Sequence, residues 1–443
     1  MGLTPEARKI GRRNFLKAAG GASALAALGT TAIVRGPKRG GPVRAALIGY
    51  GKQGRLLHSC IDPSVMTIAA IADIRPRATA APDVDADLPW YQDWRRMLQQ
   101  ERLEAVIVAT PLWTHAEIAI ACLEARKHVL CETAMAMNAT ECTGMLEASE
   151  RNQRLLVIGY QHRFHSTYLS AYQNIVEEGL LGEVYSIEAA WHSYTSGRLQ
   201  ASPDAPPFDP RPWGYASADD LLNWRLFHRH SNGLMSERGS EIISLTSWYL
   251  NSRPTAVLAH GGIYSYKDGR DVNDHVFATL EYPNGRTTTL SLIQSNGFEG
   301  SYTQFMGTSG TLIIGNDEAL FFTEDNSRPT KLEPAYLRGK HTVLDASASR
   351  TQEAANHSSL VQAGNGGNGM EAYRQEVSAF CGSIRTGARM VNLAQHASEV
   401  VQACSAVCES IRQGKRVTVG ARAGSGQPVA SLALNMRSEI CMT

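Results

Sequence analysis

The segment 43–54, VRAALIGYGKQG, constrains this chain more than any other. A short apolar run, Ala45 to Ile48, leads directly into Gly49, Gly51 and Gly54 at G-x-G-x-x-G spacing, and helix-compatible residues (Arg55, Leu56, Leu57, His58) follow at once. The first glycine permits a tight turn, the second lets backbone approach a pyrophosphate, and the third lets helix pack on strand. The helix start adds free N–H groups and a positive dipole end. Tyr50, Lys52 and Gln53 fill the same turn and count as dinucleotide contacts with it. A second apolar run, 66–72, ends in Asp73, with Ile74 and Arg75 beside it. A carboxylate about twenty residues past the glycines holds the adenosine ribose hydroxyls. It repels a 2′-phosphate, which favours NAD. Arg75 and Arg77 could pair with such a phosphate, so NADP stays open as the alternative.

Two further apolar runs repeat the pattern. Residues 105–109 end in Thr110-Pro111, with His115 just beyond, and residues 128–131 end in Glu132-Thr133. Strand and helix alternating in this way make a doubly wound parallel sheet, whose ligands sit at the carboxyl ends of the strands. Thr110, Pro111, Glu132 and Thr133 are therefore placed on the cofactor, while His115 either touches it or caps the next helix. A fifth run, 155–159, delivers Tyr160, Gln161, His162 and Arg163 to the same edge. Gln161 is assigned to the cofactor and Arg163 to the substrate.

Beyond this point the periodicity changes. Residues 168–178 read as a helix and 183–191 as a strand ending in Trp191-His192. A Pro- and Gly-rich loop, 193–220, precedes Trp224-Arg225 and a helix starting near Ser236. Segments 256–262, 274–282, 287–294 and 303–314 alternate apolar and polar residues, as half-buried strands do. The fold expected is α/β: a Rossmann domain over 42–163, then an α+β substrate and oligomerisation domain over 164–420 with a large, open, mainly antiparallel sheet. Helices at 370–385 and 394–414 close it, 326–369 reads as irregular, and 421–443 is an irregular tail. His192, Trp224 and Arg225 join Arg163 as expected substrate contacts.

The formal charge of +1 over 443 residues excludes nucleic-acid or membrane-surface binding driven by bulk charge. Eight cysteines at irregular spacings, without a C-x-x-C pair, give no metal site. Residues 1–41 read as an address rather than structure. Gly11-Arg12-Arg13-Asn14-Phe15-Leu16-Lys17 matches a twin-arginine export motif, and a mild Ala/Gly-rich stretch follows. Export to the periplasm or outside the cell is expected, with cleavage between Gly29 and Gly41 and no stable membrane insertion.

From 43 to 419 the chain resembles the Gfo/Idh/MocA family, named for glucose–fructose oxidoreductase and inositol dehydrogenase, and its exported branch in particular. The resemblance rests on GYGKQG, ATPLWTHAEIAIACLEARKHVLCE, GYQHRF, EEGLLGEVYSIEAAWH, the NWR–GLMSERGSE segment, GTSGTLIIG, EAYRQEVSAF and ESIRQGKRV. It implies NAD(P), a carbohydrate or polyol laid over the nicotinamide, hydride transfer and a homo-oligomer. It also implies a catalytic lysine in Glu-Lys-Pro and a histidine four residues after an acid on the second-domain helix. Here those positions hold Thr133 and Glu241, and Ser244 stands where a further acid is common.

A base must still take the alcohol proton. Glu237 and Glu241, at i and i+4 of one helix face, are the candidates, with His162 and Tyr160 beside them. Glu237 could instead pair with Arg225. Three readings stand: an oxidoreductase, a redox-neutral NAD-dependent glycoside hydrolase or lyase with His192 among its acid–base groups, or a cofactor binder without chemistry.

Overall fold

The computed structural model describes residues 4–18, 40–77, 85–195, 197–201, 208–315, 318–324, 368–387, 390 and 393–420. The expected tail at 421–443 and nearly all of the irregular stretch 326–369 lie outside the described residues.

The chain opens with helix α1 (Pro5–Ala18). This segment was expected to be an address without structure, yet Phe15 is 4% exposed and a side chain at Gly11 would run into the Phe322 ring. Phe15 thus has a seat on the body of the protein, while Arg12 and Arg13 stay exposed.

A first sheet follows, made of β1 (Val43–Ile48), β2 (Met66–Ala72), β3 (Trp90–Tyr91), β4 (Ala105–Val108), β5 (His128–Cys131) and β6 (Leu156–Ile158). Its order is β3-β2-β1-β4-β5-β6 with every pairing parallel. β4 is buried throughout and β1 nearly so, as strands covered by helices on both faces must be. The crossovers include α2 (Lys52–Cys60), α3 (Trp94–Gln100), α4 (His115–Glu124) and α5 (Ala139–Asn152). Asp93 caps α3 by accepting from the Arg95 N–H, and Asn138 caps α5 by accepting from the Glu141 N–H, which fixes where both helices begin.

After α6 (Ser166–Ala171) comes a second, mixed sheet: β7 (Val184–His192), then α7 (Ala218–Leu222) and α8 (Ser240–Tyr249), then β8 (Ala256–Gly262), β9 (His275–Glu281), β10 (Thr287–Ile293), β11 (Ser301–Gly307), β12 (Gly310–Gly315) and β13 (Glu318–Thr323). Two helices, α9 (Asn368–Thr386) and α10 (Leu393–Gln413), and the short β14 (Val417–Thr418) complete the chain. The sheet order is β13-β12-β11-β7-β10-β9-β8-β14, antiparallel except for β7 with β10. β9 and β10 bury every second residue, so one face meets the core and the other is open. α8, buried along its whole length, and α10 cover the inner face.

α9 returns to the first sheet. Its Val377, Phe380 and Cys381 belong to the same buried cluster as Val43, Leu47 and Ile107. The core of the first domain is thus finished by a helix from the far end of the chain. That return brings α9 and α8 together over the carboxyl ends of β5 and β6.

Candidate active site

The glycine turn has the geometry its spacing predicts. Gly49 sits at φ +90°, and a Cβ there would lie 2.5 Å from the Ala109 carbonyl oxygen. A Cβ on Gly54 would collide with the Gly49 carbonyl, so helix α2 and strand β1 are in direct backbone contact. Around Gly51 nothing lies within 4 Å of an added Cβ. Closed at the first and third glycines and open at the second, the turn leaves room where a pyrophosphate must approach, so these residues fit a dinucleotide.

At the ribose end, Asp73 is 8% exposed at the tip of β2. Its Oδ2 accepts from the Tyr50 N–H at 2.8 Å, and Arg75 clamps the carboxylate through Nε and Nη2, both at 2.8 Å. The Tyr50 side chain turns away from the cleft: its ring packs edge-on to Trp90 and its hydroxyl meets His58 Nδ1 at 2.9 Å. Ile74 uses its carbonyl to hold Gln92. Arg77 is tied to backbone carbonyls of 85, 86 and 88 and is drawn away from the ribose position.

At the other end the side chains converge. Gln53 Nε2 donates to Glu132 Oε1 at 2.8 Å, tying the glycine turn to the end of β5. Burial, reinforced by the nearby Glu241 carboxylate, pushes Glu132 up from 4.5 to about 7 against the lowering pull of Gln53. Thr133 Oγ1 donates to Glu241 Oε1 at 3.0 Å. Glu241 Oε2 stands 3.2 Å from His162 Nδ1 without the alignment of a hydrogen bond, and so keeps its lone pairs. His162 is steadied by the Tyr168 ring, 4.6 Å away. The Tyr160 hydroxyl is buried, and burial raises it well above the usual phenol range against the lowering pull of the Ser240 hydroxyl.

Two residues of this cluster escaped the sequence reading. Glu376 of α9 is 1% exposed with Oε1 unpartnered, and burial with Glu132 and Glu241 nearby holds it well above the usual carboxyl range. Tyr373, one turn earlier, stands beside Gln53 and Glu132. The signal was available: Ala372, Glu376 and Phe380, at i, i+4 and i+8, share one face, so an acid lies on the buried stripe of an amphipathic helix.

Several expected site residues lie elsewhere. His192 is on the open face of the second sheet, with Nε2 on Ser291 Oγ at 2.7 Å and Nδ1 on the Phe298 carbonyl. Strand alternation puts Trp191 inward with Ile187 and Ala189, and Arg238 covers the Trp191 ring at 4.3 Å. Glu237 does not stack with Glu241. A π-helical turn, Met235–Gly239, precedes α8 and breaks the i, i+4 register, and Glu237 instead accepts from Arg225 Nε at 2.6 Å. Arg225 in turn lies over Trp224 at 4.1 Å, which makes this trio a rim.

His115 is 1% exposed, with Nε2 on the Thr110 carbonyl and Nδ1 on the Ala134 carbonyl, both at 2.9 Å. It staples two loops together and has no ring nitrogen left for the cofactor. Thr110 also accepts from the Thr114 hydroxyl, and Pro111 accepts the same hydroxyl through its carbonyl. Arg163 lies against the Trp248 ring at 4.8 Å, with Nε and Nη2 buried and unpartnered, and burial lowers it to about 10. Gln161 heads the short turn Gln161–Phe164 that carries His162.

A parallel sheet of this order, with this turn at its first crossover, defines an NAD-binding Rossmann protein. The chain belongs to the Gfo/Idh/MocA family. The profile described as "Oxidoreductase family, NAD-binding Rossmann fold" matches residues 43–160, and the GFO/IDH/MocA C-terminal domain matches 170–313. Inositol 2-dehydrogenase of Salmonella paratyphi B is 28% identical over 168 residues, 37% of this chain and 50% of that protein. The match therefore spans only half the length of that relative. The NADP(+)-dependent scyllo-inositol 2-dehydrogenase of Bacillus subtilis is 23% identical across 87% of this chain and 98% of its own. Among solved structures, the WlbA dehydrogenase of Bordetella pertussis, with NADH and UDP-GlcNAcA, superposes at TM-score 0.64 with 18% identity over 87% of this chain and 100% of that one. An inositol dehydrogenase homologue of Azotobacter vinelandii, with NADH and myo-inositol, gives 0.62 with 19% identity over 88% and 99%.

Proposed function

We propose that this protein is an NAD(P)-dependent oxidoreductase acting on a sugar, polyol or glycoside, with Glu241 as the proton acceptor. The observation that carries the reading is the convergence of Thr133, Glu241 and His162 beside Glu132 at the end of β5. A dinucleotide held across Gly49, Gly51 and Gly54 would supply the hydride acceptor for the carbinol carbon. This chain must then accept the hydroxyl proton as the C–O bond becomes a carbonyl. Glu241 Oε2 is the acceptor in this reading, which the Thr133 hydrogen bond to Oε1 alone supports by leaving Oε2 unpartnered. His162 next to it offers a route for the proton onward. Threonine here replaces the proton-transferring lysine by a group that orients its successor.

The test is a panel of polyols, sugars and aryl glycosides given to the purified protein, with reduced nicotinamide and aglycone release followed together. Reduced cofactor without aglycone release supports the oxidoreductase. Steady aglycone release with cofactor unchanged replaces it by the redox-neutral glycoside hydrolase. Neither signal, with cofactor bound, leaves a binding protein without chemistry.

Two further parts of the reading belong with this. Export by the twin-arginine route is proposed from the motif around Arg12 and Arg13, and would be checked by cell fractionation with both replaced by lysine. A homo-oligomer through the open sheet face is proposed from Leu258 and Phe277, 41% and 45% exposed on that face, and would be checked by sedimentation.

A further inference from the structure

The ribose end of the cleft carries more positive charge than a bare ribose needs. A groove of about 520 Å³ opens beside the glycine turn, lined by Gly51, Lys52, Arg55, Leu56, Ser59 and Arg75. Three of these six residues are cations and none is an acid. The carboxylate that should read the ribose hydroxyls lies beside this groove, but its acceptor positions are taken. Asp73 Oδ1 accepts from the Arg75 N–H at 2.9 Å and from Arg75 Nε at 2.8 Å; Oδ2 accepts from the Tyr50 N–H and from Arg75 Nη2, both at 2.8 Å. A carboxylate has about four lone-pair sites, and here four donors fill them.

We propose that this groove is a 2′-phosphate site, so that the protein takes NADP(H) in preference to NAD(H). The inference rests on a dinucleotide lying across the glycine turn. Asp73 then acts as the anchor of Arg75, not as the reader of the ribose. With its charge balanced by Arg75 it repels a phosphate far less than an unpaired carboxylate would. Arg75 is clamped through Nε and Nη2, and Nη2 also reaches the Tyr50 carbonyl at 3.1 Å; Nη1 remains for a phosphate oxygen. Lys52 and Arg55, on the first turn of α2, line the same groove and add attraction without needing a fixed geometry. A ribose with a free 2′-hydroxyl gains less here: its oxygen can accept from a guanidinium but carries no charge to match it, and Asp73 would have to let go of Arg75 to accept the hydroxyl proton.

The test is isothermal titration of the full-length protein with NADPH, NADH, 2′,5′-ADP and 5′-ADP. Charge-assisted hydrogen bonds to one phosphate predict NADPH tighter than NADH by about 10- to 100-fold. The same ratio should hold between 2′,5′-ADP and 5′-ADP and shrink as salt is raised. Arg75→Ala should reverse the order, because it removes the phosphate contact and frees Asp73 for the ribose. Arg55→Ala, which leaves the Asp73 clamp intact, should only reduce the ratio, and guards against a folding defect in the first variant. NADH binding tighter than NADPH, or a ratio that Arg75→Ala leaves unchanged, overturns the assignment while leaving the dinucleotide reading intact. If none of the four ligands binds, the dinucleotide reading falls with it.

Discussion

Replacing Glu132 by glutamine should make the protein more stable at alkaline pH and leave it unchanged in acid. In the native state burial holds this carboxyl's ionisation near 7, against 4.5 for an ordinary glutamate. Between those values the folded chain binds the proton that the unfolded chain has released. Stability from this group is therefore fully present below about pH 4.5 and lost as pH rises through 7. At about 1.36 kcal/mol for each tenfold change in proton affinity, the loss amounts to about 3 kcal/mol. Glu132→Gln keeps an amide oxygen to accept from Gln53 and cannot ionise, so it escapes this loss. Urea unfolding of the cofactor-free proteins, followed by tryptophan fluorescence, should show nearly equal midpoints at about pH 4 and a variant advantage of about 3 kcal/mol at about pH 8. Glu376 titrates in both proteins, and loss of the Glu132 charge eases its ionisation in the variant, which adds to the alkaline advantage. A stability difference that is the same at both pH values would falsify the reasoning, because it would mean that Glu132 is not held protonated by burial.

Three shorter tests follow. Glu241→Gln should lower kcat by about 100- to 10,000-fold on any substrate found, with dinucleotide affinity unchanged; an unimpaired variant removes Glu241 as the proton acceptor. Gly54→Ala should destabilise the apo protein by about 1–3 kcal/mol through its collision with Gly49, whereas Gly51→Ala should keep apo stability and lose dinucleotide binding, and the reverse pattern would contradict the roles given to the two glycines. His192→Ala should leave kcat/KM unaltered, since the ring lies on the open sheet face, and a large loss would return it to the cleft.

Much of the cofactor half of the site could be read in the chain. Gly49, Gly51 and Gly54 answer to backbone sterics, and Asp73, Glu132 and Tyr160 stand at strand ends where alternation of strand and helix brings them to one edge. These are local relations, so a linear string records them. The second half depends on relations it does not record. The π-helical turn that separates Glu237 from Glu241 is one residue wider than the helix assumed, and no composition rule marks it. His192 was misplaced by one strand position. Ile187 and Ala189 carry the parity that sends Trp191 inward, but the end of a strand gives too few residues to weigh. Glu376 enters the cleft because α9 folds back on the first sheet, a contact with β1 across more than three hundred residues of chain. Pairing of Arg75 with Asp73 could have been suspected from their spacing, yet only geometry shows that it consumes the whole carboxylate.

The seat of α1 on β13 bears on how this protein behaves in solution. A sheet of this width has two borders, each a row of backbone groups able to template a foreign strand. One border is β14, only two residues long. The other is β13, beside which α1 lies with Gly11 against the Phe322 ring. A helix lying beside this border leaves less of it open to a foreign strand. Deleting residues 1–18 strips α1 from β13, and sedimentation should then show self-association that the full chain lacks.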